Sequence, residues 1–168
     1  PFTDWARDPE RTVDAAPEYK YKDIYLYANG KPQELDGAYA VDPTHPAVEA
    51  MMKKTSGLFH RAGFEYVKMD FMTHGAMEAD KWYNPEITTG IQGYNYGMKL
   101  LNQYFGDMYI NLSISPVFPA QYAQSRRIAC DAWNQIKDTE YTLNALSYGW
   151  WQKYIYQYND ADHIVLRD

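Results

Sequence analysis

The sequence predicts an α/β protein built as an incomplete (β/α)8 barrel of the TIM type. Three observations support this prediction: short β-rich runs alternate with amphipathic helices, no glycine-rich phosphate-binding turn follows any run, and the runs have the spacing of barrel units. A complete barrel takes about 250 residues, so 168 residues hold about five to six of the eight βα units.

Six β-rich runs lie between turn-forming clusters of Pro, Gly, Asn and Asp. They span residues 24–28, 38–41, 66–71, 109–114, 128–132 and 163–166. Because helical segments fill most of the gaps between them, we expect these runs to be strands of one parallel sheet.

Three segments have the apolar spacing of amphipathic helices. The first begins at Pro46, a residue favoured at the first helical position, and ends at Gly63. The other two span residues 88–105 and 139–151. We expect a single partial barrel domain over residues 1–168, with the first strands and the last strand outside the chain.

Composition excludes several classes of function. The net charge is −6 with no basic block, so a nucleic-acid partner is not expected. No apolar run approaches the roughly 20 residues of a membrane helix, so we expect no membrane partner. One cysteine excludes a multi-thiolate metal site, and the four histidines lack metal-ligand spacing. We therefore expect no metal and no cofactor.

The aromatic content is typical of sugar-binding proteins, but it is also found in other classes of protein. The chain has 17 tyrosines and 5 tryptophans. Aromatic rings stack on the C–H faces of pyranoses, and Tyr and Trp keep a polar group for a hydroxyl. Large cores and partner interfaces use the same side chains, so composition alone does not decide between them.

Three aspartates end or follow β-rich runs: Asp42, Asp70 and Asp131. In a barrel, side chains at the carboxyl ends of separate strands converge on one site. Two such carboxylates can hydrolyse a glycosidic bond, one as nucleophile and one as acid. Ser113 and Ser115 end an intervening run, where they either contact the sugar or satisfy local backbone groups.

A cation accompanies two of these carboxylates. Lys68 lies two residues before Asp70 and Arg127 four residues before Asp131, so on a strand each pair shares one face. Such cations can donate to sugar hydroxyls and keep a carboxylate ionised. The alternative interpretation is an ordinary structural ion pair at each place.

Four stretches resemble, in order, motifs of the α-galactosidases in glycoside hydrolase families 27 and 36. They are residues 42–46 (DPTHP), 66–71 (YVKMDF), 127–131 (RIACD) and 159–163 (NDADH). The second is similar to the nucleophile strand of those enzymes and the third to their acid/base strand. The first is similar to an Asp-x-x-x-Pro stretch of family 36. The fourth is similar to an Asn-Asp-Pro-Asp stretch, with Ala161 in place of the proline.

The resemblance implies a retaining hydrolase that cleaves terminal α-galactosides by double displacement. Asp70 would be the nucleophile, and Asp131 the acid and then the base. The substrate-binding candidates are Lys68, Arg127, Asp42, Ser113 and Ser115. Another α-glycosidase or a β-L-arabinopyranosidase of the same clan stays open, as does a non-catalytic carbohydrate-binding barrel.

The expected partners are a glycoside or oligosaccharide substrate and the barrel units missing from this chain. The resemblance also implies a secreted or periplasmic protein. The sequence itself leaves the location open, because it opens without a recognisable signal peptide.

Overall fold

The computed structural model describes residues 2–133 and 135–163. These residues form two compact units. Residues 2–65 and 71–108 form one, which we call the hairpin unit, and residues 66–70 and 109–163 form the other, the sheet unit. None of the helices in the described ranges has the length and apolar character that a membrane crossing needs.

Seven short strands of the hairpin unit form small antiparallel sheets. The strands are β1 (Thr3–Asp4), β2 (Thr12–Val13), β3 (Ala16–Lys20), β4 (Tyr27–Ala28), β5 (Lys31–Pro32), β6 (Glu34–Leu35) and β7 (Ala38–Ala40). Strand β7 lies between β1 and β6, while β2 pairs with β3 and β4 with β5. Two-residue turns with positive φ close two of the hairpins, at Asn29-Gly30 and at Asp36-Gly37.

These hairpins correct two predicted strands. The run 24–28 is split, because Ile24 ends a one-turn helix α1 (Tyr21–Ile24) and only Tyr27–Ala28 is extended. The run 38–41 forms β7, but β7 pairs antiparallel with both neighbours. Asn-Gly and Asp-Gly turns reverse the chain within two residues, which forces antiparallel pairing. Neither run is therefore a strand of the parallel sheet.

The two long helices of the hairpin unit confirm the predicted ones. Helix α2 spans Pro46–Arg61 and α3 spans Gly90–Phe105. The His45 side chain caps α2, and Thr89 caps α3. A 3₁₀ turn, Met72–Ala76, packs against α3.

The sheet unit contains four parallel strands. They are β8 (Tyr66–Met69), β9 (Tyr109–Leu112), β10 (Ser125–Arg127) and β11 (Tyr158–Asp160). The strands lie side by side in chain order, all parallel. Helix α4 (Ile136–Tyr148) and a 3₁₀ turn, Trp150–Tyr154, connect β10 to β11. Side chains alternate along β8 as expected, because Val67 and Met69 are buried whereas Tyr66 and Lys68 are exposed on the other face.

The predicted α/β class with a parallel sheet is confirmed, but a complete barrel is not present in the described residues. They contain four parallel strands instead of about five to six units. The strand predicted over residues 128–132 is wrong, because β10 ends at Arg127. Strand β10 consists of Ser125, Arg126 and Arg127, which have no apolar pattern. Its buried residues Ser125 and Arg127 make side-chain hydrogen bonds. The run 163–166 lies outside the described residues, apart from His163, which is not in a strand.

Candidate active site

The first candidate carboxylate, that of Asp70, lies at the end of strand β8. Asp70 directly follows the strand, and its Oδ2 atom lies 3.3 Å from the ammonium of Lys68. Both side chains are partly exposed. Alternation along β8 puts both residues on the face opposite to the buried Val67 and Met69. The expected pairing is present, and solvent can reach it.

Arg127, the last residue of β10, binds two carboxylates at once. Its Nη2 atom donates to Asp131 Oδ1 at 3.0 Å and to Asp162 Oδ2 at 3.1 Å. The Arg127 side chain is 5% exposed, whereas that of Asp131 is 60% exposed. Asp131 lies in the loop after β10 and not on a strand as expected. The two side chains form the ion pair that the alternative interpretation described, and a role of either residue in sugar binding or catalysis stays a prediction.

The second carboxylate on Arg127, that of Asp162, was not among the predicted site residues. Its Oδ2 atom also accepts the main-chain N–H of Ala132 at 2.9 Å. This hydrogen bond lowers the pKa of Asp162 below its ordinary value, and the charges of Arg127 and His163 act in the same direction. The only sequence signal for Asp162 is that it lies in the stretch 159–163, which resembles an Asn-Asp-Pro-Asp motif. The resemblance assigns no role to any single residue of that stretch.

A polar network connects the four parallel strands. Asn111 of β9 donates from Nδ2 to Tyr66 Oη of β8 at 2.8 Å and to Asp160 Oδ2 of β11 at 2.6 Å. Ser125 of β10 donates to Asn111 Oδ1 at 2.9 Å. The other oxygen of Asp160, Oδ1, accepts the main-chain N–H of Asp162 at 2.9 Å. Asn111 therefore links the sheet to the loop that carries Asp162.

An open cavity of about 420 Å³ lies beside the polar network around Asn111. Its lining residues are Tyr66, Tyr109, Asn111, Ser125, Tyr158, Asn159 and Asp160. The rings of Tyr66 and Tyr109 stack, with centroids 5.6 Å apart. None of the predicted site residues lines this cavity.

Ser113 and Ser115 follow β9, and both are buried. The main-chain N–H of Ser113 donates to the Met69 carbonyl at 2.8 Å, which continues the pairing of β9 with β8. The Ser115 hydroxyl is buried and has no hydrogen-bond partner among the described residues. A buried hydroxyl without a partner is costly, so Ser115 is the serine better suited to receive a ligand.

The ends of the strands carry unusual backbone conformations. Phe71, Ile114 and Asp162 have φ values of 54°, 40° and 65°, and each lies two residues after the end of β8, β9 or β11. Positive φ is rare for a β-branched residue such as Ile114. Strained residues of this kind cluster at functional sites. The strain therefore favours a site at the carboxyl ends of the parallel strands.

Asp42 differs from the other candidates, because it belongs to the hairpin unit and is buried. Its Oδ1 accepts the N–H and the hydroxyl of Thr44 at 2.8 and 2.7 Å, and its Oδ2 accepts the N–H of Tyr83 at 2.6 Å. Both oxygens therefore stabilise the local chain. A role of Asp42 in sugar binding stays a prediction.

A cavity of about 480 Å³ adjoins Asp42. His45 also lines it, and the rings of Tyr19 and Tyr83 lie 4.7 and 4.6 Å from the imidazole. The Nδ1 atom of His45 accepts the N–H of Ala47, which leaves a neutral ring with its proton on Nε2. Burial lowers the pKa of His45 below its ordinary value, so this neutral form is favoured.

Metal binding has no obvious location in the part of the chain that the structure describes. No group of three or more His, Cys, Asp or Glu side chains there is arranged to hold a metal ion. The charged side chains described at the strand ends include the carboxylates of Asp70, Asp131 and Asp162 with the cations Lys68 and Arg127.

No family model and no curated protein sequence matches this chain. Solved structures do match it. The chain is similar to TtGalA, an α-galactosidase from Thermus thermophilus in complex with stachyose, with 20% identity and a TM-score of 0.67. The fold is that of part of an α-galactosidase-like glycoside hydrolase. This match covers 90% of the chain and 36% of the neighbour, so the chain spans about a third of that enzyme's length.

The chain is also similar to an enzyme that is named for a different sugar. It is Abp, a β-L-arabinopyranosidase of family 27 from Geobacillus stearothermophilus, with 18% identity and a TM-score of 0.56. The match covers 92% of this chain and 36% of that protein. The resemblance inferred from the four stretches is therefore confirmed at the level of the fold.

Proposed function

We propose that this chain is part of a retaining glycoside hydrolase that cleaves terminal α-galactosides. The observation that carries the proposal is the pairing of two partly exposed carboxylates with cations after two parallel strands of one sheet. Asp70 lies 3.3 Å from Lys68, and Asp131 lies 3.0 Å from Arg127. The neighbouring glycoside hydrolases support the reaction class.

In the proposed reaction, Asp70 is the nucleophile and Asp131 the acid and then the base. An oxygen of Asp70 bonds to the anomeric carbon while the glycosidic C–O bond breaks, and Asp131 gives its proton to the departing oxygen. Asp131 then takes a proton from water, whose oxygen bonds to the anomeric carbon and releases Asp70. Two inversions at one carbon give net retention.

The cations have a second role in this proposal. The ammonium of Lys68 lies 3.3 Å from the carboxylate of Asp70, beside the position that the anomeric carbon would occupy during the attack. Lys68 and Arg127 also donate hydrogen bonds to sugar hydroxyls. Ser115 supplies a further hydroxyl for the sugar, since its own is buried without a partner among the described residues.

We propose an α-galactoside as the substrate because of the ligands bound in the neighbouring solved structures. One solved structure holds stachyose and another p-nitrophenyl α-D-galactopyranoside. The β-L-arabinopyranosidase neighbour supports a second candidate, since that sugar matches the galactose ring but lacks its exocyclic carbon. Sites that hydrogen-bond a substrate hydroxyl discriminate strongly against analogues that lack it.

A substrate screen tests the proposal. The full protein that carries this chain is assayed with nitrophenyl α-galactoside, β-L-arabinopyranoside, α-N-acetylgalactosaminide and α-glucoside. We expect turnover to be fastest with the α-galactoside, and NMR of the first product to show the retained anomer. Turnover of the α-glucoside alone would contradict the substrate assignment, and an inverted product would contradict the mechanism.

The non-catalytic alternative is tested with Asp70→Asn. A hydrolase loses nearly all turnover in this variant but still binds galactose, whereas a sugar-binding protein shows no turnover even as wild type. Asp107→Asn is the matched control, because Asp107 is an exposed aspartate of the hairpin unit with no part in the proposed reaction. Equal turnover in wild type and D70N would rule out the proposed nucleophile.

A further inference from the structure

The cavity that adjoins Asp42 has no part in the proposed reaction. All of its lining residues belong to the hairpin unit, so none of the side chains proposed for catalysis lines it. Its volume of about 480 Å³ lies within the range of about 300 to 1,000 Å³ that small-molecule pockets have. Some of the lining residues, such as Lys81 and Tyr83, are exposed, so a ligand can enter from solvent.

His45 brings an unpaired hydrogen-bond donor to this cavity. The residue is 4% exposed, and its Nδ1 atom accepts the N–H of Ala47 at 3.1 Å. Nε2 therefore carries the proton, and this N–H has no hydrogen-bond partner among the described residues. The rings of Tyr19 and Tyr83 contact the imidazole edge to face, which fixes its orientation. A buried donor without an acceptor is costly, so a ligand that accepts this hydrogen bond is stabilised.

The charges around the cavity favour an uncharged ligand. Two lysines, Lys22 and Lys81, and two aspartates, Asp23 and Asp42, line it. Burial lowers the pKa of His45, and the charges of Asp42 and Asp23 act in the opposite direction, so both carboxylates are close enough to affect the ring. They would repel an anion beside Nε2, and the lysines would repel a cation. A neutral ligand that carries hydroxyl groups meets neither repulsion.

We propose that this cavity is a second ligand site, which binds an uncharged sugar through a hydrogen bond from Nε2 of His45. Sugar hydroxyls both donate and accept, and the cavity offers partners for both. Asp23 accepts the main-chain N–H of Lys20 with Oδ2 at 2.8 Å, which leaves Oδ1 to accept from a hydroxyl. The Lys81 ammonium is a further donor. The ring of Tyr83, which is 58% exposed, provides a face for pyranose C–H groups.

Hydrogen bonds between three segments hold the walls of the cavity together. Asp42 Oδ2 accepts the N–H of Tyr83 at 2.6 Å, which connects residues 81–83 to the loop before α2. The N–H of Asp80 donates to the Tyr27 carbonyl at 2.8 Å, which connects the same segment to β4. A site that is formed before its ligand arrives loses less conformational entropy on binding. Asp42 is thus a positioning residue of the wall, whereas His45 contacts the sugar.

NMR of the full protein that carries this chain, with nitrogen-15 in its histidines, tests the inference. The Nε2 signal of His45 is assigned by its loss in His45→Asn, whose side chain can still cap α2. Galactose, glucose and galacturonate are then titrated into the wild-type protein. We expect both neutral sugars to shift the His45 signal. Galacturonate, which is an anion, should bind at least about tenfold more weakly.

Tyr83→Ala tests the sugar contact while His45 remains as the reporter. The variant keeps the main-chain N–H that Asp42 accepts but removes the stacking ring, so the Kd for galactose read from the His45 signal should rise about three- to tenfold. Tyr148→Ala is the matched control, because Tyr148 is an exposed tyrosine of the sheet unit, and its Kd should equal that of wild type.

Three results would overturn the inference: a His45 signal that neither neutral sugar moves, tighter binding of galacturonate than of galactose, or an equal Kd in wild type and Y83A. The inference does not depend on the proposed reaction. A protein without glycosidase activity would refute the role proposed for Asp70, and the His45 titration would still decide whether this cavity binds sugar.

Discussion

Two aspartates of the hairpin unit and two of the sheet unit have opposite surroundings. In the hairpin unit, Asp4 and Asp42 are buried, and both of their oxygens are taken up by nearby groups of the same unit. In the sheet unit, Asp70 and Asp131 are open to solvent and each faces a cation. Asp4 and Asp42 therefore stabilise their own unit, whereas Asp70 and Asp131 follow strands of the parallel sheet at places that a ligand can reach from solvent.

The largest expected effect is on activity, from Asp131→Ala. Removal of a general acid costs about 10²- to 10⁴-fold in rate, so kcat/KM for a galactoside with a poor leaving group should fall by that amount. An α-galactosyl fluoride, whose leaving group needs little proton donation, should lose far less. Because Asp131 is exposed, the free energy of unfolding should change little. Equal losses for both substrates would contradict the acid role.

A large effect on stability is expected from Asp4→Ala. Asp4 accepts hydrogen bonds from Arg11 and from the Tyr25 hydroxyl, each at 2.6 Å. Its removal leaves the Tyr25 hydroxyl buried without a partner, which costs about 3 kcal/mol. Urea denaturation measures this loss, and the control is Asp8→Ala, since Asp8 is exposed. Loss of less than about 1 kcal/mol would weaken the contrast between the two units.

Asp42→Ala tests whether the contrast between the two units also holds for Asp42, a predicted sugar ligand that lies in the hairpin unit. Its removal leaves the N–H groups of Thr44 and Tyr83 without their acceptor, so we expect a loss of about 2 kcal/mol in the free energy of unfolding. We expect the KM for an α-galactoside to change little. A raised KM with unchanged stability would show that Asp42 binds sugar after all.

The smallest effect concerns His45 and pH. Burial lowers the pKa of His45 in the folded state from its ordinary 6.5, so the unfolded chain binds the proton more tightly. Its contribution to stability is therefore complete above about pH 6.5 and is lost as the pH falls through the lower folded pKa. We expect urea denaturation to show a lower free energy of unfolding as the pH falls below about 6.5. His45→Asn keeps a capping side chain for α2 and should abolish this part of the pH dependence.

Local signals predicted the long elements correctly. Pro46 at the start of α2, Thr89 before α3 and the alternation along β8 are all properties of neighbouring residues. The pairing of Lys68 with Asp70 also follows from their short spacing. Arg127 and Asp131 pair as well, but not through the shared strand face that the spacing predicts, because Asp131 lies after the end of β10. Such features need no information about the rest of the fold.

Features that depend on distant residues were missed. Strand β10 is polar, and its buried Arg127 pairs with Asp162, which is 35 residues away along the chain. The network around Asn111 takes one residue from each of four strands, and no local pattern indicates it. In the hairpin unit, strands of two or three residues are too short for periodicity to reveal.

Covalent trapping of the sugar shows whether Asp70 of the sheet unit is the nucleophile. The full protein that carries this chain is incubated with a 5-fluoro galactosyl fluoride, which forms the glycosyl–enzyme faster than water releases it. Peptide mass spectrometry then locates the sugar. A galactosyl adduct on Asp70 is the predicted result. An adduct on another carboxylate, or an active enzyme that forms no adduct and gives the inverted product, would contradict it.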